Sequence, residues 1–172
     1  MTASKKSGLR LYRNAKPNPR PPVVREPPAV YRALARPVLV DSNVLIDIVE
    51  NDPVWFEWSA AAIERLGTHS KLVINPVIYA EIAGGYASIE DLDAALAPFG
   101  FLREALPWEA GFLAAQAHKL YRKRGGARKS TLPDFYIGAH ASLAAYTLLT
   151  RDAARYQDYF PQLAIIAPGN PH

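Results

Sequence analysis

The hydrophobic and polar positions along the chain form short apolar runs separated by longer amphipathic segments. Largely apolar runs at 38–40, 72–74 and 147–149 stand next to proline or polar residues, a pattern typical of short buried strands. A run at 163–166 predicts a last strand, and 101–106 predicts a short strand or an extended connector. Because these strands alternate with segments of helical length, we predict an α/β fold in three layers, with a short, mostly parallel sheet flanked by helices.

Amphipathic spacing and end signals predict the helices between these strands. In the segment 54–66, Trp55, Trp58, Ala62 and Leu66 fall on one helical stripe. Such a stripe is typical of core packing, and it could also line a groove for a partner peptide. The other predicted helices cover 44–50, 77–83, 108–124, 135–146 and 153–156, and one more begins at 88.

Charge is distributed unevenly along the chain. Residues 1–36 hold nine basic residues and one acidic residue, whereas the rest holds 11 basic and 15 acidic residues. Six prolines between 17 and 28 disfavour a regular helix there and favour polyproline II or disorder. We therefore predict a basic, proline-rich extension at 1–36 and one folded domain at 37–172. Basic arms commonly bind nucleic acid or another polyanion; the alternative is that this arm has no function.

Composition excludes several classes of protein. The chain of 172 residues is 49% hydrophobic, which suits one globular domain with a real core. It holds no apolar run near the roughly 20 residues that a membrane span needs. It has no cysteine, which excludes disulfides, thiolate zinc sites and cysteine nucleophiles. The first eight residues lack the apolar core of a signal peptide, so we expect a cytoplasmic protein.

Four acidic residues occupy positions where a parallel sheet would bring them together. Asp41 and Asp152 follow predicted strands, Asp134 begins the helix before the third strand, and Glu81 lies on the helix after the second. Converging carboxylates repel each other and raise each other's pKa unless a cation compensates the charge. All-oxygen ligands favour Mg²⁺, or Mn²⁺, over zinc. For Asp41 alone, a plain capping role at a strand-to-helix turn is the alternative.

Other polar residues flank these carboxylates. Ser42, Asn43 and Thr150 are placed to hold ligands or waters around the predicted metal. By helical spacing Asp47 and Asp52 face away from this site, and we predict that both lie on the surface. Basic residues just before Asp134 could bind substrate phosphates, although those at 122–124 could equally complement a helix C-terminus. These basic residues are Arg122, Lys123, Arg124, Arg128 and Lys129.

Four motifs follow one another in order, with predicted helices between them. They are Leu39–Asp47, Asn75–Glu81, Leu132–Ala141 and Leu149–Asp152, and the stretch from Arg155 to Pro161 completes the pattern. Together they resemble the PIN domain, in particular the VapC-type ribonuclease toxins of bacterial toxin–antitoxin pairs. The basic arm is a departure, because such toxins usually begin almost directly at the first strand.

The resemblance, which covers roughly residues 37–168, implies a function and its residues. It implies a Mg²⁺-dependent endoribonuclease in which Asp41, Glu81, Asp134 and Asp152 bind the metal and carry catalysis. The expected products bear 5′-phosphate and 3′-hydroxyl ends. The implied partners are an RNA substrate, a cognate antitoxin and a second copy of the chain in a homodimer. A groove with Trp55 and Trp58 is the candidate antitoxin site.

The sequence also bears on three other functions. An Asp-nucleophile phosphatase needs a second carboxylate two residues after the nucleophile, where this chain has Asn43. A nonenzymatic nucleic-acid-binding module of the same fold would not need all four acidic positions filled. A PIN-type nuclease for RNA processing or for structured nucleic acid, with no antitoxin, is the main alternative.

Overall fold

The structure is a computed structural model that describes residues 36–126 and 132–169. The predicted N-terminal extension, apart from Arg36, lies outside the described residues. So do Arg128 and Lys129, two of the five residues predicted to bind RNA phosphates.

A five-stranded parallel sheet forms the centre of the described part of the chain. Its strands are β1 (Val38–Val40), β2 (Leu72–Ile74), β3 (Leu102–Arg103), β4 (Thr147–Leu149) and β5 (Ile165–Ile166). They lie in the order β3-β2-β1-β4-β5, and all four neighbouring pairs are parallel. The three central strands are wholly buried, which explains their nearly continuous apolar sequence.

Seven helices connect these strands in the described residues. The order reverses at β1, because the chain first adds β2 and β3 on one side and later β4 and β5 on the other. Because crossovers between parallel strands are right-handed as a rule, connections made in opposite directions along a sheet generally lie on its opposite faces. The helices are α1 (Ser42–Val49), α2 (Phe56–Gly67), α3 (Pro76–Ala83), α4 (Ile89–Leu96), α5 (Trp108–Lys123), α6 (Leu132–Leu143) and α7 (Ala153–Gln157), with a 3₁₀ turn at Ala97–Phe99.

Local sequence signals set several helix starts. The Asn75 side chain accepts hydrogen bonds from the backbone N–H groups of Val77 and Ile78, both at 3.0 Å, and Pro76 occupies the first helical position of α3. Ser88 caps α4 by accepting a bond of 3.1 Å from the Asp91 N–H. Both caps satisfy backbone donors that a helix start leaves without partners.

The predicted α/β fold with a parallel sheet and flanking helices is confirmed. Several helix ends differ from their predictions by one to three residues. For example, α6 ends at Leu143, although the alanine-rich pattern extends to 146. Ala145 has a φ of 53°, a left-handed conformation that a helix cannot contain, and the chain turns there into β4. In the described residues no helix has the length and apolar character needed to cross a membrane.

Candidate active site

Asp41 lies at the carboxyl end of β1, beside the point where the strand order reverses. Ligands of open α/β sheets bind at such points. The side chain is 1% exposed, and its Oδ2 atom accepts three hydrogen bonds. The donors are Asn43 Nδ2 at 2.7 Å, Thr150 Oγ1 at 2.7 Å and Tyr156 OH at 3.0 Å. The other oxygen, Oδ1, lies 3.4 Å from the Ser42 hydroxyl. Asp41 is therefore held firmly by one oxygen.

Sheet pairing explains why these groups meet. β1 pairs with β4 in a register that aligns Val40 with Leu149, so Asp41 and Thr150 leave neighbouring strands side by side. The Asp41 N–H donates to the Leu149 carbonyl oxygen at 2.9 Å, which extends the pairing by one residue. The Thr150 hydroxyl also accepts the Asp152 N–H at 3.1 Å. The same hydroxyl thus orients Asp41 and the turn that carries Asp152.

Glu81 joins the site from α3 through Ser42. The Ser42 hydroxyl donates to Glu81 Oε2 at 2.6 Å, although the two residues lie on different helices. Because Ser42 directly follows Asp41, this bond ties the two carboxylates to one local framework.

Asp134 and Asp152 are bridged by Arg155 of α7. Arg155 Nη1 lies 2.6 Å from Asp134 Oδ2, and its Nε lies 3.1 Å from Asp152 Oδ2. The Asp134 side chain is 19% exposed, whereas Asp152 is 42% exposed. A guanidinium therefore balances part of the negative charge on this side of the site.

Burial and mutual repulsion shift the acids of the site. Burial raises the pKa of Asp41 from 3.8 to about 6, against the lowering effect of its bonds from Thr150 and Tyr156. The charges of Asp134 and Glu81 add to this increase. Burial also raises the pKa of Glu81 and of Asp134, and Asp152 adds to the rise at Asp134. The site therefore carries negative charge that its own residues compensate incompletely.

The carboxylates surround a cavity of about 410 Å³. The lining includes Asp41, Asp134 and Asp152, whereas Glu81 reaches the group through Ser42. Asn43, Trp55, Arg151, Arg155 and Tyr156 complete the lining.

The donor set fits a hard divalent cation in its chemistry. It consists of carboxylate and hydroxyl oxygens, and it holds buried negative charge that a cation would neutralise. As the side chains are placed, no three acidic or histidine groups within 36–126 and 132–169 converge closely enough to hold one ion. Arg155 already pairs with two of the acids, so a metal would compete with that guanidinium for Asp134 and Asp152.

The prediction that Asp47 lies on the surface is wrong. Asp47 is 1% exposed, its Oδ2 accepts the Ser59 hydroxyl at 2.7 Å, and its Oδ1 lies 3.1 Å from Arg151 Nη1. Burial raises its pKa. The sequence held a signal for this placement, because Asp47 follows the buried Val44 by three residues and so shares its helical face.

The three predicted phosphate-binding residues that the structure describes do not line the acidic cavity. Arg122, Lys123 and Arg124 are exposed at the C-terminal end of α5. The first two line a separate groove between α5 and α6, and the Arg124 guanidinium lies 5.7 Å from the centre of the Tyr159 ring. In the described structure these residues do not line the cavity with Asp41.

Three residues of the cavity had no role in the sequence-based prediction. Tyr156 bonds to Asp41, Arg155 bridges two acids, and Arg151 pairs with Asp47. Tyr156 and Arg155 fall within the closing stretch of the motif pattern, which was the signal available for them. The partners of Arg151 lie far away in sequence, so its role required the fold.

Comparison with known proteins agrees with this fold. A family model described as the PIN domain matches residues 38–159. A comparison with the curated proteins finds no significant match.

Several solved structures share the fold at low sequence identity. VapBC2 from Rickettsia felis, bound to a DNA fragment from its promoter, contains a chain matched with a TM-score of 0.60 and 16% identity, over 77% of this chain and 99% of that one. A chain of VapBC-1 from nontypeable Haemophilus influenzae matches with a TM-score of 0.58 and 20% identity, over 76% of this chain and 97% of that one. A chain of FitAcB from Neisseria gonorrhoeae matches with a TM-score of 0.55 and 19% identity, over 76% of this chain and 97% of that one.

These structural matches concern the fold, and the family model concerns the sequence. The match to the family model spans well over half of the chain and includes Asp41, Glu81, Asp134 and Asp152. The chain belongs to the PIN domain family.

Proposed function

We propose that this chain is a metal-dependent endoribonuclease that hydrolyses RNA as the cytoplasmic toxin of a type II toxin–antitoxin pair. The observation that carries this proposal is the set of carboxylates around one cavity at the reversal point of the sheet. Asp41 is fixed there by three donors on a single oxygen. A buried acid held this way, with others beside it, is typical of a site that binds a cation.

The family and its structural neighbours support the nuclease class and the partner. PIN domains are generally nucleases. The solved chains with this fold include members of the VapBC toxin–antitoxin complexes. We infer that this chain likewise has an antitoxin, which would cover the acidic cavity, and that it forms a homodimer.

Asp41, Glu81, Asp134 and Asp152 would hold Mg²⁺, with Mn²⁺ as a second candidate. Their oxygen-only chemistry and incompletely balanced charge fit this ion. Such a metal lowers the pKa of a coordinated water and neutralises charge on a phosphate. The hydrolysis joins the water oxygen to phosphorus, breaks the bond between phosphorus and the 3′ oxygen, and leaves 5′-phosphate and 3′-hydroxyl ends.

The surrounding residues position these acids. Asn43, Thr150 and Tyr156 fix the orientation of Asp41, and Ser42 fixes that of Glu81. Arg155 pairs with both Asp134 and Asp152, and its positive charge offsets the repulsion between these two carboxylates. Prearranged groups of this kind lose little freedom when substrate arrives, which favours catalysis.

Basic residues would hold the rest of the RNA. Arg122, Lys123 and Arg124 form an exposed cationic end of α5, where they would bind phosphates beyond the cleavage site. Arg128 and Lys129, which lie outside the described residues, would bind phosphates as well. We further propose that the basic extension at 1–36 binds the RNA backbone, whereas the domain at 37–172 carries the site.

The test is cleavage of a mixed RNA pool by the purified full chain, free of antitoxin, with Mg²⁺, with Mn²⁺ and with EDTA. We expect cleavage with either metal and none with EDTA. Asp41→Asn should lower the rate at least about 100-fold, because even residues that only orient metal ligands are worth 10–100-fold. Asp158→Asn, which neutralises an exposed acid outside the cavity, should keep the wild-type rate. Cleavage in EDTA, or full activity of Asp41→Asn, would contradict the proposal.

A further inference from the structure

Two residues of the acidic cavity are neither acids nor side-chain partners of one of the four predicted metal-binding acids. Trp55, just before α2, and Arg151, just after β4, both line the cavity. The guanidinium carbon of Arg151 lies 5.7 Å from the centre of the Trp55 ring, which places a planar cation against an aromatic face. We call these two residues the Trp55–Arg151 pair.

Arg151 is anchored from two sides. Its Nη1 lies 3.1 Å from Oδ1 of the buried Asp47, which in turn accepts the Ser59 hydroxyl at 2.7 Å. Its backbone N–H donates to Asn43 Oδ1 at 3.1 Å. Because Asn43 also donates to Asp41, Asn43 links the position of Arg151 to that of Asp41.

Trp55 is anchored independently. Its backbone N–H donates to Asp52 Oδ1 at 2.9 Å, and its ring meets Trp58 edge to face, with centroids 6.4 Å apart and an interplanar angle of 84°. Edge-to-face packing of aromatic rings is a favourable arrangement. The ring is thus held in place while it remains partly exposed at the cavity.

Stability alone does not account for this pair. A buried ion pair such as Asp47–Arg151 is weak evidence for stabilisation, because removing charges from water is costly. Arg151 Nε is buried and has no hydrogen-bond partner among the described residues, which adds a further cost. The Arg151 side chain nevertheless remains 29% exposed, at the cavity. The fold therefore keeps two planar groups beside the carboxylates at an energetic cost.

We propose that the Trp55–Arg151 pair is a stacking surface for an unpaired base of single-stranded RNA next to the cleaved phosphate. This inference rests on the proposed function and deepens it by assigning a base-binding role to these two residues of the site. Aromatic rings and guanidinium planes stack on bases that are free of a duplex. Since Asp47 balances the charge of Arg151, this guanidinium offers a planar surface with little net charge of its own.

The test measures binding without cleavage. In the Asp41→Asn background, single-stranded RNA that contains 2-aminopurine is titrated with protein, and both affinity and fluorescence quenching by stacking are recorded. The same RNA annealed to its complement serves as the duplex. Trp55→Leu keeps apolar bulk and removes the ring, whereas Trp55→Phe keeps a ring. Trp108→Leu is the matched control, because Trp108 is 94% exposed and lies outside the cavity.

We expect the parent protein to bind single strands more tightly than duplex and to quench 2-aminopurine. Trp55→Leu should weaken single-strand binding about 5- to 100-fold and abolish quenching, as the loss of one stacked base would. Trp55→Phe should retain most of both signals, and Trp108→Leu should change neither. Loss in Trp55→Leu with retention in Trp55→Phe also excludes a folding defect at this position as the cause.

Several results would overturn the inference. These are equal affinity for duplex and single strand, or unchanged single-strand affinity and quenching in Trp55→Leu. Metal-dependent cleavage by the wild type together with unchanged quenching would leave the proposed function standing and remove the stacking surface. Stacking without any cleavage would support the surface and contradict the proposed hydrolysis.

Discussion

At the scale of single residues, Asp41 shows a conflict between stability and the proposed chemistry. Three donors converge on one of its oxygens, yet burial and neighbouring acids still raise its pKa to about 6. Its ionised form is therefore less favourable in the folded metal-free chain than in water. Sites that break a local rule in this way are commonly functional, and their cost is met by the rest of the fold.

This conflict predicts how stability depends on pH. The folded pKa of Asp41, about 6, lies above its ordinary value of 3.8, so the folded chain binds this proton more tightly. The stability that this bound proton adds to the folded chain is fully present below about pH 4 and is lost as the pH rises through about 6. We expect Asp41 to account for a fall of about 3 kcal/mol in the free energy of unfolding across this window. Urea denaturation in EDTA at a series of pH values measures it.

The variant Asp41→Asn isolates this effect. It should be more stable than wild type at neutral pH without metal, and it should lack the part of the pH dependence that Asp41 contributes. Asp158→Asn, at an exposed position, should follow the wild-type profile. A metal-free Asp41→Asn chain that is less stable than wild type at pH 7 would show that the ionised carboxylate stabilises the fold.

Asp47 shows how two signals in the sequence can conflict at this scale, because it shares a helical face with the buried Val44 but carries a charge. Helical spacing left it facing away from Asp41, and a charged residue in that position is usually at the surface. Its burial depends on Ser59 in the next helix and on Arg151 beyond β4. A buried charge is acceptable only with such partners, and partners distant in sequence are not visible before the chain folds.

At the scale of elements, the sequence predicted the strands better than the helix ends. The three central strands lie where their apolar runs were, because strands buried on both faces have nearly continuous apolar sequence. The helix predicted at 54–66 begins later, at Phe56, since Asp52 accepts the N–H groups of Val54 and Trp55 and forms a turn there. Helix ends depend on such local bonds and on tertiary contacts, which periodicity does not capture.

Helix α6 supplies a test of packing near the site. A Cβ atom at Gly138 would lie 3.0 Å from Tyr156 Cδ1 and still closer to the ring of Phe160. Both rings are buried, so they have little space in which to move. Overpacking of this kind costs about 1–3 kcal/mol, more than the roughly 1 kcal/mol of helix propensity that alanine gains over glycine. We expect Gly138→Ala to lower the free energy of unfolding by about 1–2 kcal/mol in urea denaturation.

The matched control is Gly111→Ala in α5. Its added Cβ would lie 3.7 Å from Tyr136 Cε1, an ordinary contact. This variant should gain roughly 0.5–1 kcal/mol from helix propensity alone. If Gly138→Ala were as stable as Gly111→Ala, the close packing of α6 against the rings of Tyr156 and Phe160 would not limit that position.

At the scale of the whole molecule, the site exists only because of the strand order. Asp41, Glu81, Asp134 and Asp152 come from four separate parts of the chain, and the reversal at β1 brings the first and last to neighbouring strand ends. Alternation of strands and helices predicted a parallel sheet whose strand ends share one edge, but not that β1 and β4 are neighbours. It could not reveal the bridge from Arg155 or the Trp55–Arg151 pair, which depend on side-chain placement.

Charge also acts at this scale. The part of the chain after residue 36 is acidic overall, whereas residues 1–36 carry a strong excess of basic groups. An acidic cavity repels RNA, so cations from the metal and from basic segments must bring the substrate to it. The proposed chemistry and the charge distribution are therefore linked.

The most direct test of the central claim is the chemistry of the cut ends. RNA cleaved by the full chain with Mg²⁺ is examined for its terminal groups, by ligation that requires a 5′-phosphate and by mass spectrometry of the fragments. Hydrolysis by water at this carboxylate site predicts 5′-phosphate and 3′-hydroxyl ends, absent with Asp41→Asn. Fragments with 2′,3′-cyclic phosphate and 5′-hydroxyl ends would contradict the account, because they require attack by the RNA's own 2′-hydroxyl group.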